Sequence, residues 1–410
     1  MVMSQISFIH AADLHLDTPF QGLSRIPETV YSDIRESTFR AFYRLVEVAI
    51  QKQVDFVLLV GDLFDNERQS LKAQYKLRQG FERLREHGID VFLSYGNHDY
   101  IAGNIHPINY PDNVYVFPDQ TVRHVIYRRN NRDLATIYGF SYEERAVHSV
   151  KANEYELAQT NTPFHIAMLH GSLKTNTEHD VYAPFSLNDL SQRPFDYWAL
   201  GHIHKRQCLK MNPPIVYPGN IQGRNRKETG KKGCYYVELS VENVQMNFIP
   251  LQAIEFQTVN IDVDDVETIQ QLEETLRHKM MNECTSEVPQ LFDIVFKGTR
   301  THPLNWKSSG MLEELIELIN DQLTTYDTWK YIHHWSFDIR QEEQLLGNHD
   351  PFISELKRMI EKANIAEYLE DLYEHREARK YLTPMTVDEE QALKDEVKQL
   401  LFYMFYDKSL

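Results

Sequence analysis

The sequence predicts an α/β protein in which two β-sheets face each other, followed by a small α+β segment and a helical tail. Three observations carry that reading. Near the N-terminus short apolar runs alternate with amphipathic helices, the rhythm of parallel βαβ units. A second series of strand-like runs then follows with little helix between its members. From about residue 254 the texture changes to strand, helix, strand, helix, strand, which marks a separate unit.

Ile6–Ala11 is apolar enough for a buried strand and leads into Ala12-Asp13-Leu14-His15-Leu16-Asp17. If extended geometry continues, Asp13 and His15 point to the same side. Ser37–Lys52 carries Phe39, Phe42, Leu45, Val46 and Ala49 at helical spacing, and Val54–Val60 is a β-branched strand ending at Gly61-Asp62. The pattern recurs with a helix over Lys72–His87 and a strand over Asp90–Tyr95 that stops at Gly96-Asn97-His98-Asp99. The second series runs through Val114–Phe117, Thr121–Tyr127, Ala135–Phe140, Phe164–Leu169, Tyr197–Leu200 and Ile215–Tyr217, and closes on a hairpin of Gly233–Leu239 with Val244–Pro250. The later segment reads as strands over Glu255–Val263, Gln290–Lys297 and Lys330–Ile339, with helices over Val266–Asn282 and Ser309–Thr324 between them. Residues from Glu342 onward are acid-rich and helical, with an apolar stripe that includes Leu400, Leu401, Phe402, Met404 and Phe405.

A chain of 410 residues has room for two or three domains. Its formal charge of −17 repels polyanions as a whole, so nucleic-acid binding would have to come from local basic patches or bound cations. Cys208, Cys234 and Cys284, odd in number and widely spaced, argue against a disulfide framework or a cysteine metal knuckle and fit a reducing compartment. No apolar run approaches the ~20 residues of a membrane span. The N-terminus passes from Met1 into Ile6-Ser7-Phe8-Ile9 without the regions of a secretory signal. A soluble cytoplasmic protein without membrane contact is expected.

Five polar groups each sit just past a strand-like run: Asp13-x-His15, Gly61-Asp62-x-x-Asp65, Gly96-Asn97-His98-Asp99, His170-Gly171 and Gly201-His202-Ile203-His204. In an α/β sheet such positions gather at one edge, where ligands bind. A lone Asp-x-His or Gly-Asp is usually a turn or a helix cap; five in series are not explained that way. Oxygen and imidazole donors without thiolate suit Mn²⁺, Fe²⁺ or Zn²⁺ in a hydrolytic site. Two such ions ~3.5–4 Å apart can activate a hydroxide and stabilise both the attacking and the leaving oxygen of a phosphoryl group. His10 reads instead as a histidine of the core or one supporting the ligands from behind, and His165, inside an apolar run, as a hydrogen-bonded strand residue.

These five groups, in this order and at these intervals, resemble the calcineurin-like metallophosphoesterases. Within them, His10-Ala-Ala-Asp13-Leu-His15-Leu-Asp17 and Gly61-Asp62-Leu63-Phe64-Asp65 are most similar to the SbcD-type DNA-repair exonucleases, in their YhaO-like branch. The resemblance implies a four-layer αββα sandwich over residues 1–253, a small α+β cap over 254–340 that positions DNA, and a helical region over 341–410. It implies that Asp13, His15, Asp62 and His204 hold one metal and Asp62, Asn97, His170 and His202 the other, with Asp62 shared. The ions would be Mn²⁺, with Fe²⁺, Zn²⁺ or Mg²⁺ as alternatives. His98 would then steady the phosphate or protonate the leaving oxygen, with the Asp65 carboxylate orienting its ring. Asp65 stands where some nucleases of this kind outside bacteria have a histidine.

The activity so implied is metal-dependent exonucleolytic hydrolysis of DNA in repair, in company with an SMC-type coiled-coil ATPase docked on the helical tail and with a homodimer as the assembly. A phosphatase or small-molecule phosphodiesterase with the same centre is the alternative, because metals see only phosphate oxygens. The basic cluster Lys205, Arg206, Lys210, Arg224, Arg226, Lys227, Lys231 and Lys232, interrupted by one acid, Glu228, is a candidate contact to the phosphate backbone. Lys205, Arg206, Arg224, Arg226 and Lys227 are its leading members, and their contacts would not read sequence.

Overall fold

The computed structural model describes residues 5–20, 23, 26–65, 69–103, 108–175, 182–299, 306–339 and 351–375, with scattered positions between 385 and 401. In chain order the strands are β1 (Gln5–Ala11), β2 (Phe56–Val60), β3 (Asp90–Ser94), β4 (Val114–Val116), β5 (Arg123–Arg129), β6 (Arg132–Gly139), β7 (Phe164–His170), β8 (Tyr197–Gly201), β9 (Gln207–Met211), β10 (Pro214–Tyr217), β11 (Gly233–Ser240), β12 (Val244–Pro250), β13 (Glu255–Asp262), β14 (Gln290–Gly298) and β15 (Lys330–Ile339). The helices are α1 (Glu28–Lys52), α2 (Leu71–Glu86), α3 (Leu187–Ser191), α4 (Ile269–His278), α5 (Met311–Leu323), α6 (Pro351–Lys362), α7 (Ile365–Tyr368) and α8 (Glu370–Glu374).

Two six-stranded sheets, ordered β12-β11-β1-β2-β3-β4 and β5-β6-β7-β8-β10-β9, form the body of the protein. Strands β1 to β4 pair in parallel, as do β6, β7, β8 and β10, while β11, β12, β5 and β9 join antiparallel. Alternate residues of each strand serve different layers. Ile9, Ala11, Val57, Leu59, Val91 and Leu93 pack against Phe39, Phe42 and Leu45 of α1 and Leu77 and Phe81 of α2. Phe8, Phe56, Leu58, Val60 and Phe92 point the other way and meet Ile137, Ile166, Met168, Tyr197, Ala199 and Val216 of the second sheet. Strands buried on both faces are why the central runs read as continuous apolar stretches, each large side chain contributing ~1.5–3 kcal/mol of transfer free energy.

The outer face of the second sheet is covered mostly by loops. Phe140, Tyr142, Tyr155, Phe185 and Phe195 pack there on Tyr138, Leu169, Trp198, Leu200 and Tyr217. The fourth layer of the expected sandwich is therefore thin, with the five-residue α3 in it. Two further details depart from the sequence reading. Helix α1 starts at Glu28, ahead of the predicted Ser37, because Val30 and Ile34 bury against a separate core of Phe20, Ile254, Phe256, Leu291 and Trp329. Strand β9, absent from the predicted strands, pairs along one edge of β10 with its side chains largely solvated.

The third sheet has the order β13-β14-β15. The chain divides into two compact units, the first comprising Met1–Val259, Thr285–Asp293 and Gln322–His334, the second Asn260–Cys284, Ile294–Asp321 and Trp335–Leu410. In the second unit Leu272, Leu276, Phe296, Leu312 and Ile316 are buried. The predicted C-terminal stripe lies largely outside the described residues; Leu401 is described, and Leu400, Phe402, Met404 and Phe405 are not. No helix among the described residues is long and apolar enough to cross a membrane.

Candidate metal centre

The five polar groups follow the C-terminal ends of β1, β2, β3, β7 and β8, and parallel pairing brings those ends together. Extended geometry does not continue past Ala11. Asp13 and His15 adopt positive φ, 52° and 43°, as do Asp62 at 52° and His202 at 96°. Such backbone costs ~1–3 kcal/mol per residue and clusters at functional sites. It persists here because neighbouring loops run in register, with Asp13 N–H donating to Gly61 O at 3.2 Å, His15 N–H to Asp62 O at 3.0 Å and Leu16 N–H to Leu63 O at 2.9 Å. Asp99 staples the next loop, accepting from Gly96 N–H and Leu63 N–H, each at 2.7 Å. Gly201 is required by close approach, since a Cβ there would lie 2.0 Å from Val60 O and 2.9 Å from His170 Nδ1.

Two groups of side chains result, Asp13 with His15 and His204, and Asp62 with His170 and His202; the ligand atoms of each lie within 4.8 Å of one another. Asn97 joins the second group, its Oδ1 3.0 Å from His170 Nε2 and 3.2 Å from His202 Nδ1. The Asp62 carboxylate lies between them, Oδ2 being 3.4 Å from His170 Nε2 and 3.9 Å from His15 Nε2. All seven predicted ligands are thus brought to one place. Three imidazoles are fixed through a ring nitrogen facing away from the cluster centre or held by main chain. His170 Nδ1–H donates to Val60 O at 3.0 Å, and His204 Nδ1–H donates to Glu228 Oε1 at 2.8 Å. His202 is anchored by its backbone N–H, 3.0 Å from Asp13 Oδ1.

The electrostatics fit divalent cations. Burial, aided by Asp62 and opposed by His170, pushes the Asp13 carboxyl up to about 7. Burial likewise raises Asp62, yet His170, His98 and His15 outweigh it and hold this carboxyl well below its ordinary range. Burial lowers His170, but Asp62 and Asp13 carry it up to about 9. Burial, Arg224 and His204 keep His15 well below its ordinary value. The Nε2 atoms of His15 and His204 face each other at 3.0 Å, and His15 Nδ1 is buried without a hydrogen-bond partner. Buried donors of this kind, with lone pairs converging, suit one cation per cluster.

His98 stands beside the pair, its ring 5.0 Å from that of His15 and its backbone N–H donating to Asp62 Oδ1 at 3.0 Å. The expected partner of its ring is corrected in one respect: His98 Nδ1 is 2.8 Å from the main-chain oxygen of Asp65. The Asp65 carboxylate is turned to Arg224 Nη1 at 2.5 Å and Thr18 Oγ1 at 3.3 Å. A cation within reach is a stronger partner for that carboxylate than a neutral imidazole.

The basic cluster is also redistributed. Arg224 is half-buried between Asp65 and Glu228, and Arg226 lies 3.3 Å from Asp293 Oδ2 and 3.0 Å from His334 Nδ1, so both are engaged with acids of the first unit. Lys205, Arg206 and Lys227 are exposed, and the Arg206 guanidinium lies 4.0 Å over the Phe248 ring. Glu228 was not singled out as a site residue by the sequence; its only signal was being the lone acid in a basic run. Burial raises its carboxyl, but His204 and Arg224 hold it far below the usual range. His10 is buried and bridges Tyr197 Oη and Leu200 O, each at 3.0 Å, while the half-buried His165 meets Tyr138 Oη at 2.8 Å.

Residues 6–206 match the calcineurin-like phosphoesterase family. The chain is similar to the uncharacterized metallophosphoesterase YhaO of Bacillus subtilis, with 36% identity over 98% of both chains. It is also similar to the DNA double-strand break repair protein Mre11 of Methanocaldococcus jannaschii, 28% identical over 62% of this chain and 69% of that one. The protein of the same name from Archaeoglobus fulgidus is 23% identical over 84% and 82%.

Proposed function

The chain belongs to the calcineurin-like metallophosphoesterases, and from that premise we propose that it is a DNA nuclease, an Mn²⁺-dependent exonuclease of DNA repair. The observation that carries the hydrolytic part is the pair of adjoining clusters with His98 poised beside them. Support for DNA comes from the relatives named as DNA double-strand break repair proteins.

Asp13, His15 and His204 would hold one cation and Asn97, His170 and His202 the other, with Asp62 shared. Bound there, two divalent cations polarise phosphoryl oxygens and lower the pKa of water. The rest falls to the chain. The Asp65 carbonyl accepts from His98 Nδ1–H, which leaves Nε2 to the substrate; with Nε2 protonated as well, the imidazolium steadies a phosphate oxygen or gives its Nε2 proton to the leaving oxygen. The inward-held imidazoles and the strained loops keep the constellation preorganised, so binding need not reorder it. Exposed Lys205, Arg206 and Lys227 supply contacts to the phosphate backbone that do not depend on base identity. Residues 254–340 are assigned as a DNA-positioning cap. The exposed Phe352, Met359, Tyr368 and Leu372 support the helical tail as the docking segment of a coiled-coil ATPase.

The test is turnover of end-labelled linear duplex, a simple phosphodiester and a phosphomonoester, each with Mn²⁺. DNA and the diester should be hydrolysed, and His98→Ala should lose at least ~100-fold in turnover with metal content unchanged. Preference for the monoester would favour the phosphatase alternative, and full activity in His98→Ala would remove that residue from the chemistry.

A further inference from the structure

The two clusters are backed by different chemistry. Behind the second, His170 Nδ1–H meets the neutral main-chain oxygen of Val60 at 3.0 Å. Behind the first, His204 Nδ1–H meets the Glu228 carboxylate at 2.8 Å. That carboxylate is itself immobilised, because its Oε2 accepts from Asn220 Nδ2 at 2.6 Å and from Arg224 N–H at 2.8 Å.

The surrounding loop is shaped to deliver it. Gly219 has φ 77°, and a Cβ there would lie 2.7 Å from His204 O. The same carbonyl accepts from Asn220 N–H at 3.3 Å and Lys232 Nζ at 3.2 Å, so His204 is gripped at both its main chain and its ring. Gly223 lets the loop fold onto itself, a Cβ at that position falling 2.8 Å from Glu228 O. Residues between the last predicted ligand and the closing hairpin thus converge on one carboxylate.

We propose that Glu228 is a positioning residue that makes the Asp13–His15–His204 cluster the tighter of the two cation sites. The proposal rests on the dimetal reading above and goes beyond it in assigning an order of occupancy. A carboxylate behind a ligating imidazole fixes the tautomer and ring orientation and raises the basicity of the ligating nitrogen; removing such a partner costs 10–100-fold in metal affinity. A peptide carbonyl orients the His170 ring without adding charge. The first cluster therefore fills first, and the second follows at higher cation concentration.

Calorimetric titration of the metal-stripped protein with MnCl₂ tests this. The wild type should show two binding events, and Glu228→Gln should weaken the tighter one by ~10–100-fold while the other stays within ~3-fold. Uptake unchanged by Glu228→Gln, or weakening confined to the looser event, overturns the proposal and leaves the dimetal reading standing. A wild type that takes up no Mn²⁺ sinks both. A second measurement needs no variant: ¹⁵N spectra of histidine-labelled, metal-stripped wild type should show His204 as the Nδ1–H tautomer, and the Nε2–H tautomer would overturn the assignment.

Discussion

Replacing Gly96 by alanine puts a methyl group inside the candidate metal centre. Its Cβ would lie 2.3 Å from Asp62 Oδ1, 2.8 Å from His170 Nε2 and 2.9 Å from the Asp62 backbone nitrogen, and the backbone of Gly96 is outside the left-handed region, so the cost of alanine is this crowding. Restoring ordinary contact requires the Asp62 carboxylate to retreat by roughly 1 Å. Metal ligands tolerate displacements of about 0.2 Å, and a misplacement near 1 Å costs on the order of 100-fold in rate, equivalent to about 3 kcal/mol of barrier. Folding should suffer less, by ~1–3 kcal/mol, the usual cost of overpacking. Diester turnover at saturating Mn²⁺, Mn²⁺ uptake and urea unfolding, measured side by side, separate the two effects. A folded Gly96→Ala protein with wild-type uptake and turnover would show that Asp62 and His170 do not flank Gly96 as described.

Two other perturbations probe separate parts of the structure. His10 is lowered to about 3 from 6.5 by burial, with its Leu200 hydrogen bond opposing, so its neutral form stabilises the fold. That contribution is complete above pH 6.5 and is lost as pH falls toward 3, at up to ~1.4 kcal/mol per unit. The stability advantage of wild type over His10→Gln should therefore shrink between pH 6.5 and 4.5 in urea unfolding; parallel pH profiles would mean that His10 is not held neutral. Asp65→Ala keeps the carbonyl that fixes His98 and should lower turnover by less than about tenfold, below the usual loss for a carboxylate partner. A loss as large as that of His98→Ala, measured on the same diester, would restore the carboxylate as the orienting group.

What could be read beforehand follows from where the information lies. Phe56–Val60 and Tyr197–Gly201 are buried on both faces, so their apolar runs announce themselves, whereas β9 is an edge strand with solvated side chains and looks like a basic loop. Val30 and Ile34 face a core assembled from residues up to 299 positions away, a partnership that local periodicity cannot report. At the site, ligand types follow strand ends and are legible as motifs. Their backbone is not: Asp13, His15, Asp62 and His202 adopt positive φ without being glycine, held by hydrogen bonds between loops. Contacts made by main-chain oxygens, Val60 to His170 and Asp65 to His98, leave no trace in side-chain identity. Glu228 is 24 residues beyond His204, and only the folded loop brings them together.

Anomalous diffraction from crystals of the protein grown with Mn²⁺ addresses the dimetal centre most directly. Two peaks are expected per chain, one among Asp13, His15 and His204 and one among Asn97, His170 and His202, with the Asp62 carboxylate between them. A single peak, or two peaks remote from Asp62, would contradict it.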